Sequence, residues 1–362
     1  MNDIKTNVVM EGQLDHIRVP HPDPLDADVT ERPAGEAKSP LLVRLARKLR
    51  ENEVILDFMV RAFRGLQKVG ITVSPNHYYW PTPNVADLEH REWPVKSLPS
   101  GFDLHLDRQL EFLNRVAPQY SREIAFSRRC IEESGYHYNN GFFEAIDAEM
   151  AYCFVREYKP TRIVEIGGGF STRVLACALQ TNLDQDGVAG ELVTIDPFPE
   201  RLPRVGTWNR VRLIPKRVQE VDLDDFLSLE AGDILFVDSS HVVSIGNDVV
   251  REYLEIIPRL KRGVLVHVHD IFLPADYPRD MVLNNLAFWS EQYLLQAFLT
   301  FNQNFEVLWG SSAMQIFHPE ILETIFPQWK QSYRNMSRTN RRFVPTMDGE
   351  RVWPSSFWMR RV

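Results

Sequence analysis

The strongest constraint on the fold is the segment 162–172, which reads RIVEIGGGFST. Its first part, 163–166, is a short apolar run rich in β-branched residues, typical of a buried parallel strand. Three glycines follow, and Ser171 and Thr172 then begin a segment with apolar residues at helical spacing. Glycines let a backbone approach a ligand closely, and a helix N-terminus presents free N–H groups. The segment therefore predicts a nucleotide-binding crevice.

The same alternation of strand and helix continues through the chain. Further segments with the pattern of strands are 191–196, 211–215, 233–238, 264–270, 305–309 and 355–362. Helical patterns separate most of them, including one helix predicted over 281–302. The polar stretch 180–190 is predicted to be an insertion before the second strand. The order predicts an α/β fold with a doubly wound, mostly parallel seven-stranded sheet and an N-terminal helical extension.

Polar residues collect at the predicted carboxyl ends of these strands: Glu165, Asp196, Asp238, His269 and Asp270. Ligands of open α/β sheets bind at these strand ends. An acid after the second strand can accept two hydrogen bonds from a ribose diol, which makes Asp196 a candidate for binding ribose.

The composition argues against a nucleic-acid-binding or membrane protein. An apolar fraction of 44%, a charged fraction of 25% and a net charge of −8 are typical of a soluble globular protein without general affinity for nucleic acid or anionic membranes. The N-terminus lacks an apolar signal core, and no apolar run is long enough to span a bilayer. Cys130, Cys153 and Cys177 show no metal-ligand spacing. Their odd number without a pairing pattern fits a reducing compartment, so we expect a cytoplasmic protein. Whether it forms a homo-oligomer stays open.

The glycine turn differs from a dinucleotide fingerprint, because Thr172 stands where the third glycine belongs. Glu165-x-Gly167-x-Gly169 instead resembles the first motif of class I S-adenosylmethionine (SAM) methyltransferases. The segments HVHDIFLP at 267–274 and WSEQYLLQAFL at 289–299 resemble a bacterial group of these enzymes that accompanies natural-product or polysaccharide biosynthesis.

The resemblance implies that SAM is the cofactor. In the family the glycine turn packs against the methionine part of SAM, and the acid before it organises the loop and the amino end of the cofactor. Residues after the third strand lie near the adenine, and the segment before the first strand often covers the cofactor. The implied cofactor-binding residues are Glu165, Gly167, Gly168, Gly169, Ser171, Thr172, Asp196, Gln219, Tyr138 and Asn140.

The catalytic candidates also follow from a resemblance. In metal-dependent catechol and macrolide sugar O-methyltransferases, acids at the ends of the fourth and fifth strands hold magnesium. The similarity implies that Asp238, Asp270 and His241 bind Mg²⁺ or another divalent cation. His241 occupies the position of the basic lysine of the catechol enzymes, so His241, His269 and Asp238 are the catalytic candidates. The pair His269-Asp270 replaces the Asp-Asn of the catechol pattern.

Other interpretations of the same residues stay open. His241 or His269 could act as a base without metal, and the two could form an iron site with one carboxylate. Asp238 could cap its own turn through the hydroxyls at 239–240. His267 lies on the same strand face as Leu265, which favours a core histidine.

The resulting hypothesis is a SAM-dependent O-methyltransferase acting on a hydroxyl of a small natural product or glycoside, with a metal or a histidine base. The alternatives are a metal-independent N- or O-methyltransferase acting on a peptide or another small molecule, a dinucleotide-dependent oxidoreductase, and a non-catalytic partner subunit with the SAM fold. We expect a small-molecule acceptor as partner, and neither nucleic acid nor membrane.

The predicted domain organisation has five parts. They are a flexible tail at 1–40, a helical or cap region at 41–134, a SAM-binding domain at 135–318, an excursion at 319–354 within the terminal hairpin, and the last strand at 355–362. The aromatic loop 77–83 either lines a pocket or is pinned to the core by its rings.

Overall fold

The computed structural model describes residues 61–73, 81–95, 98–124, 126–128, 135–198, 202, 210–341 and 344–362. The chain divides into two units, Met1–Pro75 and Asn76–Val362. In the first unit residues 61–67 are helical. The predicted tail, most of the helical pattern of 41–70 and most of the aromatic loop lie outside the described residues.

The second unit is built on a seven-stranded sheet with the order β3-β2-β1-β4-β5-β7-β6. The strands are β1 (Arg162–Ile166), β2 (Glu191–Ile195), β3 (Val211–Ile214), β4 (Ile234–Val237), β5 (Leu265–Val268), β6 (Phe305–Gly310) and β7 (Phe357–Arg361). The first five run parallel, and β7 is antiparallel to both of its neighbours. This architecture confirms the predicted doubly wound methyltransferase-type sheet.

The register aligns the carboxyl ends of four parallel strands and the start of β7 in one row. Ile195, Ile166, Val237 and Val268 are successive pairing partners across the parallel strands, and Val268 pairs with Phe357 of β7. Because the parallel strands end together, the residues that follow them lie next to one another. The row therefore delivers the predicted site residues to one edge of the sheet.

Helices cover both faces of the sheet. They are α1 (Val85–Glu89), α2 (Leu106–Tyr120), α3 (Asp147–Tyr158), α4 (Phe170–Asp186), α5 (Leu223–Leu227), α6 (Asp248–Arg251), α7 (Arg279–Asn285), α8 (Glu291–Leu299), α9 (Ser311–Phe317), α10 (Pro319–Ile325), α11 (Ser332–Asn335) and α12 (Arg338–Arg341). Helices α2, α3 and α4 share one buried core with the sheet, while α8 and the turns that continue α6 share another. Among the described residues, no helix has the length and apolarity needed to cross a membrane.

Two predicted segments differ from the structure. The stretch 180–190 is not an insertion, because α4 continues to Asp186 and ends at Gly187, whose φ is 69°. Asn182 of this stretch faces α3 and donates to the carbonyl of Val155. The helix predicted over 281–302 is two helices, since Leu286 adopts φ 56° and ends α7.

The terminal hairpin places a large aromatic side chain in the core. Trp358 of β7 is fully buried, and its ring stacks on Phe154 of α3 with the centroids 4.1 Å apart. The chain between β6 and β7 begins at Ser311, and α9 to α12 occupy it. The last strand is therefore tied to the core by its side chains as well as by its backbone pairing.

We expect Trp358→Ala to lower the free energy of unfolding by about 3–5 kcal/mol, the usual cost of truncating a buried large aromatic residue. Urea denaturation of the full chain measures it. The control is Leu254→Ala, since Leu254 is 63% exposed and such surface changes cost within about 0.5 kcal/mol. Equal effects of the two substitutions would contradict the assignment of Trp358 to the core.

Candidate active site

The glycine turn after β1 is locked against the end of β4. Gly167 has φ +83°, and a Cβ at this position would lie 1.8 Å from the carbonyl oxygen of Asp238. The N–H of Asp238 donates to the carbonyl of Ile166, and the N–H of Gly167 donates to the carbonyl of Ile195. Both the left-handed conformation and the close approach require glycine.

The next two glycines have different surroundings. A Cβ on Gly168 would lie 2.5 Å from Leu202 and 2.6 Å from Thr194, so this glycine is packed. A Cβ on Gly169 would meet no described atom within 4 Å. The open side of the turn is therefore at Gly169, which directly precedes α4.

Glu165 organises this turn from below. Its buried carboxylate accepts hydrogen bonds from the hydroxyls of Ser171 (2.8 Å), Thr172 (2.7 Å) and Thr194 (2.7 Å). Burial raises the pKa of Glu165 to about 7, although the three hydroxyl donors act to lower it. Ser171 and Thr172 thus help to form the turn. A direct contact of these residues with the cofactor stays a prediction.

Asp196, at the end of β2, also supports the turn. Its carboxylate accepts from the N–H of Gly168 (3.0 Å) and of Phe198 (2.7 Å). Gln219 lies in a 3₁₀ turn after β3 and donates to the carbonyl of Gly246 (3.2 Å). The predicted contacts of Asp196 with ribose and of Gln219 near adenine stay predictions.

Tyr138 and Asn140 shape the loop before α3. The hydroxyl of Tyr138 donates to Glu149 (2.7 Å), and the side chain of Asn140 bonds four backbone groups of the loop, including the N–H of Phe143 (2.9 Å). Both side chains are buried. Their polar atoms hold the loop together, and their predicted place in the cofactor pocket stays a prediction.

Two aspartates and two histidines meet where β4 and β5 end. We call Asp238, His241, His269 and Asp270 the Asp–His cluster. His241 Nε2 lies 3.5 Å from Asp238 Oδ1 and 3.3 Å from Asp270 Oδ2. His269 Nδ1 lies 3.5 Å from Asp238 Oδ1 and 3.7 Å from Asp270 Oδ1. Three potential ligand atoms, one from each of Asp238, His241 and Asp270, lie within 4.8 Å of one another. This spacing suits donors arranged around one cation.

Each histidine has a second carboxylate on its far side. His241 Nδ1 lies 2.9 Å from Glu291 Oε2, and His269 Nε2 lies 3.6 Å from Asp147 Oδ2. Asp147 also accepts from two N–H groups just before β7, at residues 355 and 356. Sequence reasoning missed both carboxylates. The available signal for Glu291 was that it is the single charged residue of the otherwise uncharged α8.

Charge balance stabilises this cluster. Burial acts to lower the pKa of His241 and of His269, but the neighbouring carboxylates outweigh it and raise both pKa values well above the ordinary value. Burial acts to raise the pKa of Asp238, but His269 and His241 bring it well below its usual range. The histidines thus supply the positive charge that balances the carboxylates. A divalent cation can supply the same charge with both histidines neutral.

Two other interpretations are resolved by the geometry. Asp238 does not cap its turn, because the hydroxyls of Ser239 and Ser240 bond Glu252 and Asp248 instead. His267 is a core histidine, as its sequence pattern indicated. It is fully buried, its ring stacks on Phe236 at 3.7 Å, and its Nε2 lies 2.9 Å from the hydroxyl of Ser356.

Comparison with known proteins identifies the domain that contains this geometry. A family model described as a methyltransferase domain matches residues 164–271, which include the glycine turn and the whole Asp–His cluster. An uncharacterized protein of Archaeoglobus fulgidus is 32% identical over 176 residues, covering 45% of this chain and 76% of the relative. The chain belongs to this methyltransferase family. The prediction of a SAM-dependent methyltransferase is confirmed, and the oxidoreductase alternative is not supported.

Solved structures with lower similarity were also matched. A methyltransferase from Geobacter sulfurreducens is 18% identical, with 57% of this chain and 91% of that chain covered and a TM-score of 0.31. An O-methyltransferase from Bacillus cereus in complex with SAH is 14% identical, with 71% and 90% covered and a TM-score of 0.30. Both TM-scores are below 0.5, so these likenesses assign neither substrate nor residues.

We expect Gly167→Ala to destabilise the protein by at least about 1–3 kcal/mol, because alanine must adopt a strained backbone at φ +83° against the carbonyl of Asp238. The matched control is Gly169→Ala, whose methyl group meets open space and changes stability by no more than about 1 kcal/mol. Denaturant unfolding of both variants tests this. Similar costs for the two substitutions would show that the turn tolerates a side chain at either position.

Proposed function

We propose that this methyltransferase transfers the methyl group of SAM to a hydroxyl of a small natural product or glycoside, assisted by a divalent cation at Asp238, Asp270 and His241. The observation that carries the proposal is the contact between the glycine turn and the Asp–His cluster. Gly167 lies directly against the backbone of Asp238. A methyl donor cradled by the turn would therefore lie next to the carboxylates and histidines.

The open space at Gly169 supports the site proposed for the cofactor. It adjoins the N-terminus of α4, where backbone N–H groups favour a negatively charged ligand group such as the carboxylate of SAM. Asp196 stands at the end of the adjacent strand β2, in the position suited to a ribose diol. These two features support a pose in which SAM extends along one edge of the sheet.

Methyl transfer is an in-line displacement on an activated sulfonium, so the enzyme must orient the acceptor and remove its proton. A divalent cation in this cluster would lower the pKa of a hydroxyl bound to it. With a cation balancing the carboxylates, His269 would be neutral, and Asp147 beside Nε2 would favour the tautomer that leaves the lone pair of Nδ1 facing the site to accept the proton. In this assignment His241 is a metal ligand and His269 is the general base.

A metal-free mechanism with a histidine base is the second candidate. The charge balance of the cluster favours it, since ion pairing of His241 and His269 with the carboxylates already balances the charge without a cation. Because the same ion pairs raise both pKa values, a histidine would have to lose its proton before it could act as the base. Both candidates use the same four residues, and they differ in their response to a chelator.

The first test separates binding of SAM from chemistry. Calorimetry should show that the wild-type chain binds SAM and not NAD. We expect Asp238→Ala and Asp270→Ala to abolish methyl transfer to a panel of hydroxylated acceptors, while affinity for SAM changes less than about tenfold, or about 1.4 kcal/mol. The control is Asp184→Ala, an exposed position on α4. Binding of NAD without SAM, or normal turnover by both variants, would contradict the proposal.

The second test concerns the metal and the base. Excess chelator should stop methyl transfer, and an added divalent cation should restore it. His269→Ala should lower turnover by roughly 10²–10⁴, the usual contribution of a general base. Full activity in excess chelator would exclude the metal and support the histidine-only mechanism, and full activity of the His269 variant would exclude His269 as the base.

A further inference from the structure

His241 is held in place by the start of α8. The backbone N–H groups of Ser290 and Glu291 both donate to the carbonyl of His241, at 2.9 and 3.1 Å. The Glu291 side chain is fully buried, and its Oε2 lies 2.9 Å from Nδ1 of the imidazole. The ring of Trp289 lies 4.5 Å from that of His241. One short segment thus fixes both the backbone and the ring of this histidine.

The contact with Glu291 decides which nitrogen of His241 can bind a metal. A carboxylate on the Nδ1 side favours the tautomer with its proton on Nδ1, so that the lone pair lies on Nε2. Nε2 is the nitrogen that faces Asp238 and Asp270. Histidines that bind metals commonly donate their other N–H to a carboxylate. The core histidine His267 has a serine hydroxyl as its hydrogen-bond partner instead.

We propose that this site selects a divalent first-row transition metal over Mg²⁺, with His241 Nε2 as a nitrogen ligand beside two carboxylates and Glu291 as the positioning residue. The inference rests on the proposed function in one respect, namely that the cluster binds a cation. Mg²⁺ takes oxygen ligands, whereas imidazole suits ions such as Zn²⁺, Co²⁺ and Fe²⁺. An imidazole between two carboxylates therefore changes which ion the site prefers.

The test is direct metal binding, without SAM or acceptor. The full-length chain is treated with chelator, dialysed, and titrated calorimetrically with Co²⁺ and with Mg²⁺. We expect Co²⁺ to bind at least roughly 100-fold more tightly, since a nitrogen ligand favours the later first-row ions. Equal affinities would overturn the inference. Binding of neither ion would overturn both the inference and the metal-assisted mechanism.

A ligand exchange tests the role of His241. His241→Asn replaces the imidazole nitrogen by an amide oxygen. We expect the affinity for Co²⁺ to fall by roughly tenfold or more and the affinity for Mg²⁺ to change much less, because only the nitrogen-preferring ion loses its favoured ligand. An unchanged ratio of the two affinities would show that His241 is not a ligand.

A second pair of variants tests Glu291. Glu291→Leu removes the acceptor for Nδ1–H and should weaken binding of Co²⁺ by roughly 10–100-fold, as loss of such partners does. Glu291→Gln keeps an acceptor oxygen and should retain most of the affinity. The matched control is Glu252→Gln, another buried carboxylate, which bonds Ser239. If Glu252→Gln lowered the affinity for Co²⁺ as much as Glu291→Leu does, the effect of Glu291 would be general electrostatics and not positioning of His241. Thermal melting and SAM calorimetry verify that each variant is folded.

The inference and the proposed function can fail separately. If the chain binds Co²⁺ selectively but neither binds SAM nor transfers a methyl group, the proposed function falls and the metal selectivity stands. If methyl transfer runs with Mg²⁺ and the two ions bind equally well, the selectivity falls and the metal-assisted methyltransferase stands.

Discussion

The row of paired residues at which β2, β1, β4 and β5 end and β7 begins is the constraint on which the site depends. This row consists of Ile195, Ile166, Val237, Val268 and Phe357. The first four are buried residues that end their strands, and each is directly followed by a polar residue or a glycine. Apolar burial fixes the register, because a slip by one residue would turn every strand's side chains to the opposite face. The polar residues are therefore delivered to one edge by packing forces that do not involve them.

The chemistry at this edge depends on backbone conformations that packing must enforce. His241 and Asp270 have φ values of 60° and 57°, and such left-handed conformations cost of order 1–3 kcal/mol each for residues other than glycine. The carbonyl of His241 accepts two hydrogen bonds from the start of α8, and the carboxylate of Asp270 accepts one from the hydroxyl of Ser355 (3.0 Å). Strain at the two residues is thus offset by contacts from α8 and from the approach to β7, and both side chains are directed at the same point.

The local parts of this architecture could be predicted from the sequence. Buried strands, the glycine turn and the acids that follow strands are patterns within about ten residues. Gly167, Asp238 and Asp270 could therefore be identified from the sequence alone. Glu291 and Asp147 were not, because they meet their histidines across 50 and 122 residues of chain. Each lies in a helical pattern that gives no sign of its partner. Periodicity identifies the face of a helix that is buried, and it does not identify what lies opposite.

The helix predicted over 281–302 is wrong at a functional segment, because the break in it positions His241. In a continuous helix the N–H groups of Ser290 and Glu291 would donate to carbonyls four residues earlier in the chain. The break at Leu286 instead leaves these two groups at a helix start, where they have no partner within the helix. They bond the carbonyl of His241, and the side chain of Glu291 then reaches Nδ1 of the same residue. The apolar pattern on both sides of the break favours one helix, and the requirement to fix His241 explains why the chain forms two.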